Sequence, residues 1–150
     1  MFHRWAALLL VLALWAMSPK TAAGQQTTQP RGQKSGKLGM PYPNPFNPEI
    51  HIPFSVDTLG CPRDGVSRQS VVTVRISNIL GQDVAVPILQ GGGSLAGAPL
   101  SNFKLACGDY TAYWNGHVKN TAKEAASGTY LVQVFVNGVQ TDAVKILNRK

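Results

Sequence analysis

Charge is scarce in this chain, and acid is scarcer than base. Charged residues make up 14% of it, with seven Asp and Glu in all, against about a quarter in ordinary globular domains. The acids are scattered singly, which excludes the close carboxyl pair that a glycosidase needs. Histidine occurs three times, as His3, His51 and His117. None stands with a Ser, Cys or Asp in a pattern that reads as nucleophile and base. No catalytic residue, cofactor or small-molecule substrate is therefore expected. The two cysteines, Cys61 and Cys107, lack histidines at ligand spacing, so no metal site is expected either. Gly91-Gly92-Gly93 is followed by no lysine and no helix start, which makes it a flexible loop rather than a phosphate cradle.

Long apolar runs are also missing. The longest, residues 5–17, follows His3 and Arg4 and ends at Ser18-Pro19, with small residues at Thr21-Ala22-Ala23-Gly24. Thirteen helical residues reach only ~20 Å, short of the ~30 Å hydrocarbon core. Residues 1–24 thus read as a secretory signal peptide cleaved after Ala23 or Gly24, and the rival reading is a retained membrane anchor. No cysteine follows the small residues, which excludes lipid attachment there. Residues 25–39 are polar, basic and aperiodic, and read as a flexible tether. The protein is expected to be exported, to the periplasm or cell surface, with membrane association through a partner.

The net charge of +7 sits mostly at the ends. Between positions 40 and 144, six basic residues (Arg63, Arg68, Arg75, Lys104, Lys119, Lys123) meet all seven acids. A nucleic-acid-binding domain carries its basic stripe on the folded body, so nucleic acid is not an expected partner. The basic ends are either solvated tails or contacts to an anionic membrane or acidic neighbour.

What the chain has instead is proline in a cluster and apolar residues in alternation. Tyr42-Pro43-Asn44-Pro45-Phe46-Asn47-Pro48 is stiffened by its prolines, which fix φ and push each preceding residue out of the helical region. Asn44 and Asn47 are expected to bond their local backbone as Asx-turns. The segment reads as a rigid structural clasp that pins two aromatics, Tyr42 and Phe46, to a core built by later residues. From Glu49 the pattern has period two. Ile50, Ile52, Phe54 and Val56 share one face, with Pro53 arguing for an edge strand. Val72, Val74 and Ile76 share another. A short strand is expected over 83–89, an irregular loop over 90–107, a strand over 109–114, and a hairpin turning at Asn137-Gly138. Residues 40–150 therefore read as one all-β domain, an antiparallel β-sandwich.

The stretches Tyr42-Pro43-Asn44-Pro45-Phe46-Asn47-Pro48, Ile79-Leu80-Gly81-Gln82-Asp83-Val84, Trp114-Asn115-Gly116, Ser127-Gly128-Thr129-Tyr130 and Lys145-Ile146-Leu147 carry a resemblance over residues 42–147. The chain resembles the C-terminal sorting domain of the type IX secretion system. It is also similar to the immunoglobulin-like domain of the flagellar hook-capping protein. The resemblance implies an immunoglobulin-like sandwich of about seven strands without catalytic residues. In that family the domain trails an enzyme or adhesin and delivers it through the outer membrane. Here only signal and tether are read ahead of it. The expected function is thus a non-catalytic accessory or scaffold subunit, docking a protein partner in a larger envelope or membrane assembly. The alternative is a type IX sorting or anchoring domain.

Two further expectations concern sites. An exported chain with an even cysteine count suggests a Cys61–Cys107 disulfide, worth ~4 kcal/mol on the chain-entropy model. The alternative is two inert thiols. In the hairpin strand, Tyr130, Val132, Val134 and Val136 share one face, while Leu131, Gln133 and Phe135 share the other. If the first is core, the second is a candidate partner face, or simply two ordinary exposed apolar side chains.

Overall fold

The computed structural model describes residues 35–56 and 69–150. The signal peptide expected over 1–24, the first ten residues of the tether, and Cys61 with most of its loop lie outside the described residues. Nine strands follow in order: β1 (Gly36–Leu38), β2 (Ile50–Val56), β3 (Gln69–Asn78), β4 (Asp83–Ala85), β5 (Ile88–Gln90), β6 (Phe103–Ala106), β7 (Gly108–Trp114), β8 (Gly128–Val136) and β9 (Val139–Asn148). All strand pairings are antiparallel. A first sheet runs β1-β2-β7-β5, and a second runs β4-β3-β8-β9 with β6 also on β3.

Alternation along each strand builds the core. Ile50, Ile52, Phe54 and Val56 are buried on β2, Ala112 and Trp114 on β7, and Val72, Val74 and Ile76 on β3. Tyr130, Val132, Val134 and Val136 are buried on β8, all in one cluster shared by the two sheets. Each buried Val, Ile or Phe side chain among them contributes about 1.5–3 kcal/mol by leaving water. The expected turn at Asn137-Gly138 is present, with φ of 52° and 79° at its two residues, as a two-residue hairpin requires.

Several expectations give way to tertiary contacts. Residues 36–38, expected to be tether, are a strand instead: Gly36, Lys37 and Leu38 pair with Val56, Ser55 and Phe54. Gly36, Lys37 and Leu38 form a strand there because β2 offers them a free edge and Leu38 joins the buried core. The single strand expected over 83–89 is two strands in different sheets, β4 on β3 and β5 on β7. The chain crosses between them at Val86-Pro87. The loop over 90–107 contains a 3₁₀ turn at Gly93–Leu95 and strand β6, registered on β3 from Gln69↔Ala106 to Val72↔Phe103. These short pieces raise the strand number from about seven to nine. Pro53 is not on an outermost strand, since β2 lies between β1 and β7. Its effect is local. Gly39 N–H donates to Pro53 O at 2.8 Å, but Pro53 has no N–H to return the bond, and β1 ends at Leu38.

The two sides between the sheets are laced shut. On one, Leu38 N–H donates to Asp142 Oδ2 on β9 at 3.0 Å, and Phe46 pairs its backbone with Leu147 O and Arg149 N–H at 2.9 and 3.0 Å. On the other, Leu100 N–H donates to Pro87 O at 3.0 Å and Leu100 O accepts from Val74 N–H at 2.8 Å. One buried residue there bonds both β3 and the β4–β5 connection. Unpaired strand edges invite another chain, and these two segments cover them.

Candidate interaction face

The proline-rich segment is a clasp in a different sense from the one expected. Phe46 is 1% exposed, its ring 5.4 Å from that of Trp114. Tyr42 is 54% exposed and stacks on His51 at 5.2 Å, so only one of the two aromatics reaches the core. The backbone bonds between Tyr42 and His51, 2.8 and 2.9 Å, hold Tyr42 at the rim of β2, from which its ring projects outward. Asn44 forms no Asx-turn. Its Oδ1 accepts from Leu147 N–H at 2.9 Å and its Nδ2 donates to Lys145 O at 3.4 Å. The carboxamide takes the place of a peptide group and pairs with the β9 edge, which needs both a donor and an acceptor there. Pro43, Pro45 and Asn47 are exposed, and Pro48 is half-buried. Pro48 packs against Gly116, where an added Cβ would strike the Pro48 carbonyl oxygen.

Leu131, Gln133 and Phe135 lie together on the outer face of the second sheet, opposite the buried residues of β8. All three are half-buried. Ser77 Oγ donates to Gln133 Oε1 at 3.3 Å, and Gln133 Nε2 donates to Gln140 Oε1 at 2.9 Å. Arg75 stands 4.9 Å above the Phe135 ring, a cation–π contact, and its Nε meets Asp83 at 3.4 Å. Register places Lys145 beside Leu131 and Lys104 beside Val71 on this same face. Lys119 meets Asp83 from beyond β4 at 3.9 Å. Among the described residues the face therefore gathers four cations and one carboxylate around Leu131 and Phe135.

Next to this face the β3–β4 turn exposes Ile79 and Leu80, 72% and 78% accessible. Asn78 locks it. Its Oδ1 accepts from Leu80 and Gln82 N–H, both at 3.0 Å, and its Nδ2 donates to Gln82 Oε1 at 2.7 Å. Gly81 supplies φ of 78°, which few residues with a Cβ adopt.

The outer face of the first sheet differs. Tyr42, His51 and Tyr113 form a row, with His51 and Tyr113 rings 5.5 Å apart. His51 Nδ1 lies 2.6 Å from Gln90 Oε1. Burial, with the Glu49 carboxylate bonded to it, raises the Tyr113 hydroxyl above its usual pKa. An open groove of about 550 Å³ beside the row is lined by Lys37, Pro53, Ser55, Gln90, Asp109 and Thr111 among others. At the end of the molecule Lys150 bonds Glu124 at 2.8 Å and lowers its carboxyl pKa.

Cys107 is not free, and Cys61 lies outside the described residues. Val56 pairs with Gly108 and Gln69 with Ala106, so the loop that holds Cys61 leaves and returns beside Cys107. Among the described residues no three His, Cys, Asp or Glu side chains gather as metal ligands, and no helix is long and apolar enough to cross a membrane.

Reading charge by totals misses the basic face. Strand parity is the signal that finds it: Arg75 alternates with the buried Val74 and Ile76, and Lys145 alternates with Ile146. The row on the first sheet leaves no such signal, since Tyr42 reaches it through tertiary contacts.

No protein-family model and no curated protein matches this chain. Among solved structures, the alkylpurine DNA glycosylase AlkC of Pseudomonas fluorescens, bound to DNA containing an abasic site analog, is similar at 18% identity with a TM-score of 0.43. The match covers 77% of this chain and 31% of that one, so the chain spans about a third of the glycosylase's length.

Proposed function

We propose that this chain is a non-catalytic, exported interaction module with an immunoglobulin-like β-sandwich, docking as an accessory subunit onto a larger envelope or membrane-protein assembly. A Cys61–Cys107 disulfide belongs to the proposal. The loop holding Cys61 begins and ends beside Cys107, and exported proteins favour such bridges. The two antiparallel sheets with one common core and the resemblance carried by the clasp and the Ile79-Leu80-Gly81-Gln82 turn support the sandwich.

The observation that carries the docking role is the Leu131–Gln133–Phe135 face. Two large apolar side chains sit there on β8, half-buried, while the core side of the same strand is filled. Interfaces concentrate their energy in such central aromatic and aliphatic anchors. The test is to purify the native protein in mild detergent with whatever travels with it, then repeat with Phe135→Asp. The variant folds, with a loss below about 2 kcal/mol for a half-exposed site, and releases the partner. A folded Phe135→Asp protein that stays bound refutes this face. Proteolytic removal of the domain after transit would favour the sorting role.

A further inference from the structure

We infer that the partner docked on this face is a protein whose own surface carries carboxylates around an apolar centre. The inference rests on the docking reading above and adds the partner's chemistry. Lys104 on β6, Arg75 on β3 and Lys145 on β9 span the sheet from side to side, and Lys119 flanks it beyond β4. Asp83 is the one carboxylate among them within the described residues, and it is shared between Arg75 and Lys119. Neither Lys104 nor Lys145 has an ion-pair partner among the described residues. An apolar centre with a rim of one charge sign is the anatomy of a protein interface, where the rim steers encounter and fixes register.

Two other classes of occupant fit less well. An amphipathic surface binds a bilayer by burying its apolar face about 5–10 Å into the headgroup boundary. Leu131 and Phe135 are already half-covered and cannot reach that depth. Polybasic attraction adds only about 1 kcal/mol per residue, and this face carries a small excess. Single-stranded nucleic acid needs exposed rings for base stacking, and the Phe135 ring here is capped by Arg75. Four strands at ~4.8 Å and seven residues at ~3.4 Å each give the face roughly 450 Å². A stable interface takes about 800 Å² per partner, so the partner extends over the adjoining Ile79–Leu80 turn.

The test treats the complex isolated in mild detergent with a zero-length carbodiimide, which joins lysine amines to carboxylates, and maps the links by mass spectrometry. Links from Lys104 or Lys145 to Asp or Glu of the partner are expected. Lys104→Glu and Lys145→Glu should each slow reassociation about tenfold at low salt, with the difference shrinking as salt rises. Lys37→Glu, on the opposite face, should leave reassociation unchanged. If Phe135→Asp releases the partner but neither lysine links nor responds to reversal, the acidic rim is refuted and the docking face stands. If Phe135→Asp does not release it, the docking reading itself fails. Binding of the isolated protein to phosphatidylglycerol vesicles but not phosphatidylcholine vesicles, or to single-stranded DNA, abolished by the same lysine reversals, would overturn the inference in favour of that class.

Discussion

The two seams between the sheets are closed by segments of opposite character. At one, a proline-stiffened clasp lays Phe46 into the core and pairs Asn44 and Phe46 with the edge of β9. At the other, a glycine-rich stretch turns through positive φ at Gly91, Gly92, Gly93 and Gly97 before Leu100 bonds Pro87 and Val74. The first segment has fewer conformations to lose when it packs, because proline restricts the unfolded chain. The second holds its shape only through what it touches. Stiffness and dependence on contacts thus reach the same end, a covered edge, and differ in how much a single contact matters.

That difference can be measured. The largest effect is expected from Phe46→Ala, at about 3–5 kcal/mol by urea unfolding, as for a buried aromatic truncated in a core. A loss below ~1 kcal/mol would mean that the clasp prolines, rather than the ring, hold the seam. Leu100→Ala follows, at about 2–4 kcal/mol, since its side chain is fully buried. Amide exchange should then speed at Val74 and Leu100 together, and a change at one alone would break the picture of a joint staple. Asn44→Ala should cost about 1–2 kcal/mol for its two bonds to the β9 edge, while Asn47→Ala stays within ~0.5 kcal/mol. Equal effects from the two asparagines would show that Asn44 contributes no edge pairing. The smallest is Tyr42→Ala, below about 1 kcal/mol for an exposed ring stacked on His51. A larger thermal shift would place Tyr42 among the core residues after all.

The outer faces offer a second contrast. The first sheet carries a grooved row of rings with Glu49 and Asp109 against Lys37, while the second is basic. Between residues 40 and 144 six basic residues stand against seven acids, and Lys37 and Lys145 lie just outside that window, so charge totals do not reveal the basic face. Alternation along strands sends neighbouring residues to opposite faces, so a balanced sequence can fold into an unbalanced surface.

Local chemistry by itself determined the alternating strands and the Asn137-Gly138 turn. Period-two burial and positive-φ turns are settled by each residue and its immediate neighbours. Tertiary structure alone decided which clasp aromatic is core and that Asn44 reaches a strand 101 to 103 residues away. It also decided that residues 36–38 pair with β2, and that Lys104, Arg75 and Lys145 share a face. Each depends on a partner distant in the chain, and hydrogen-bond saturation and the exclusion of water from a common core select that partner only once both sheets are present.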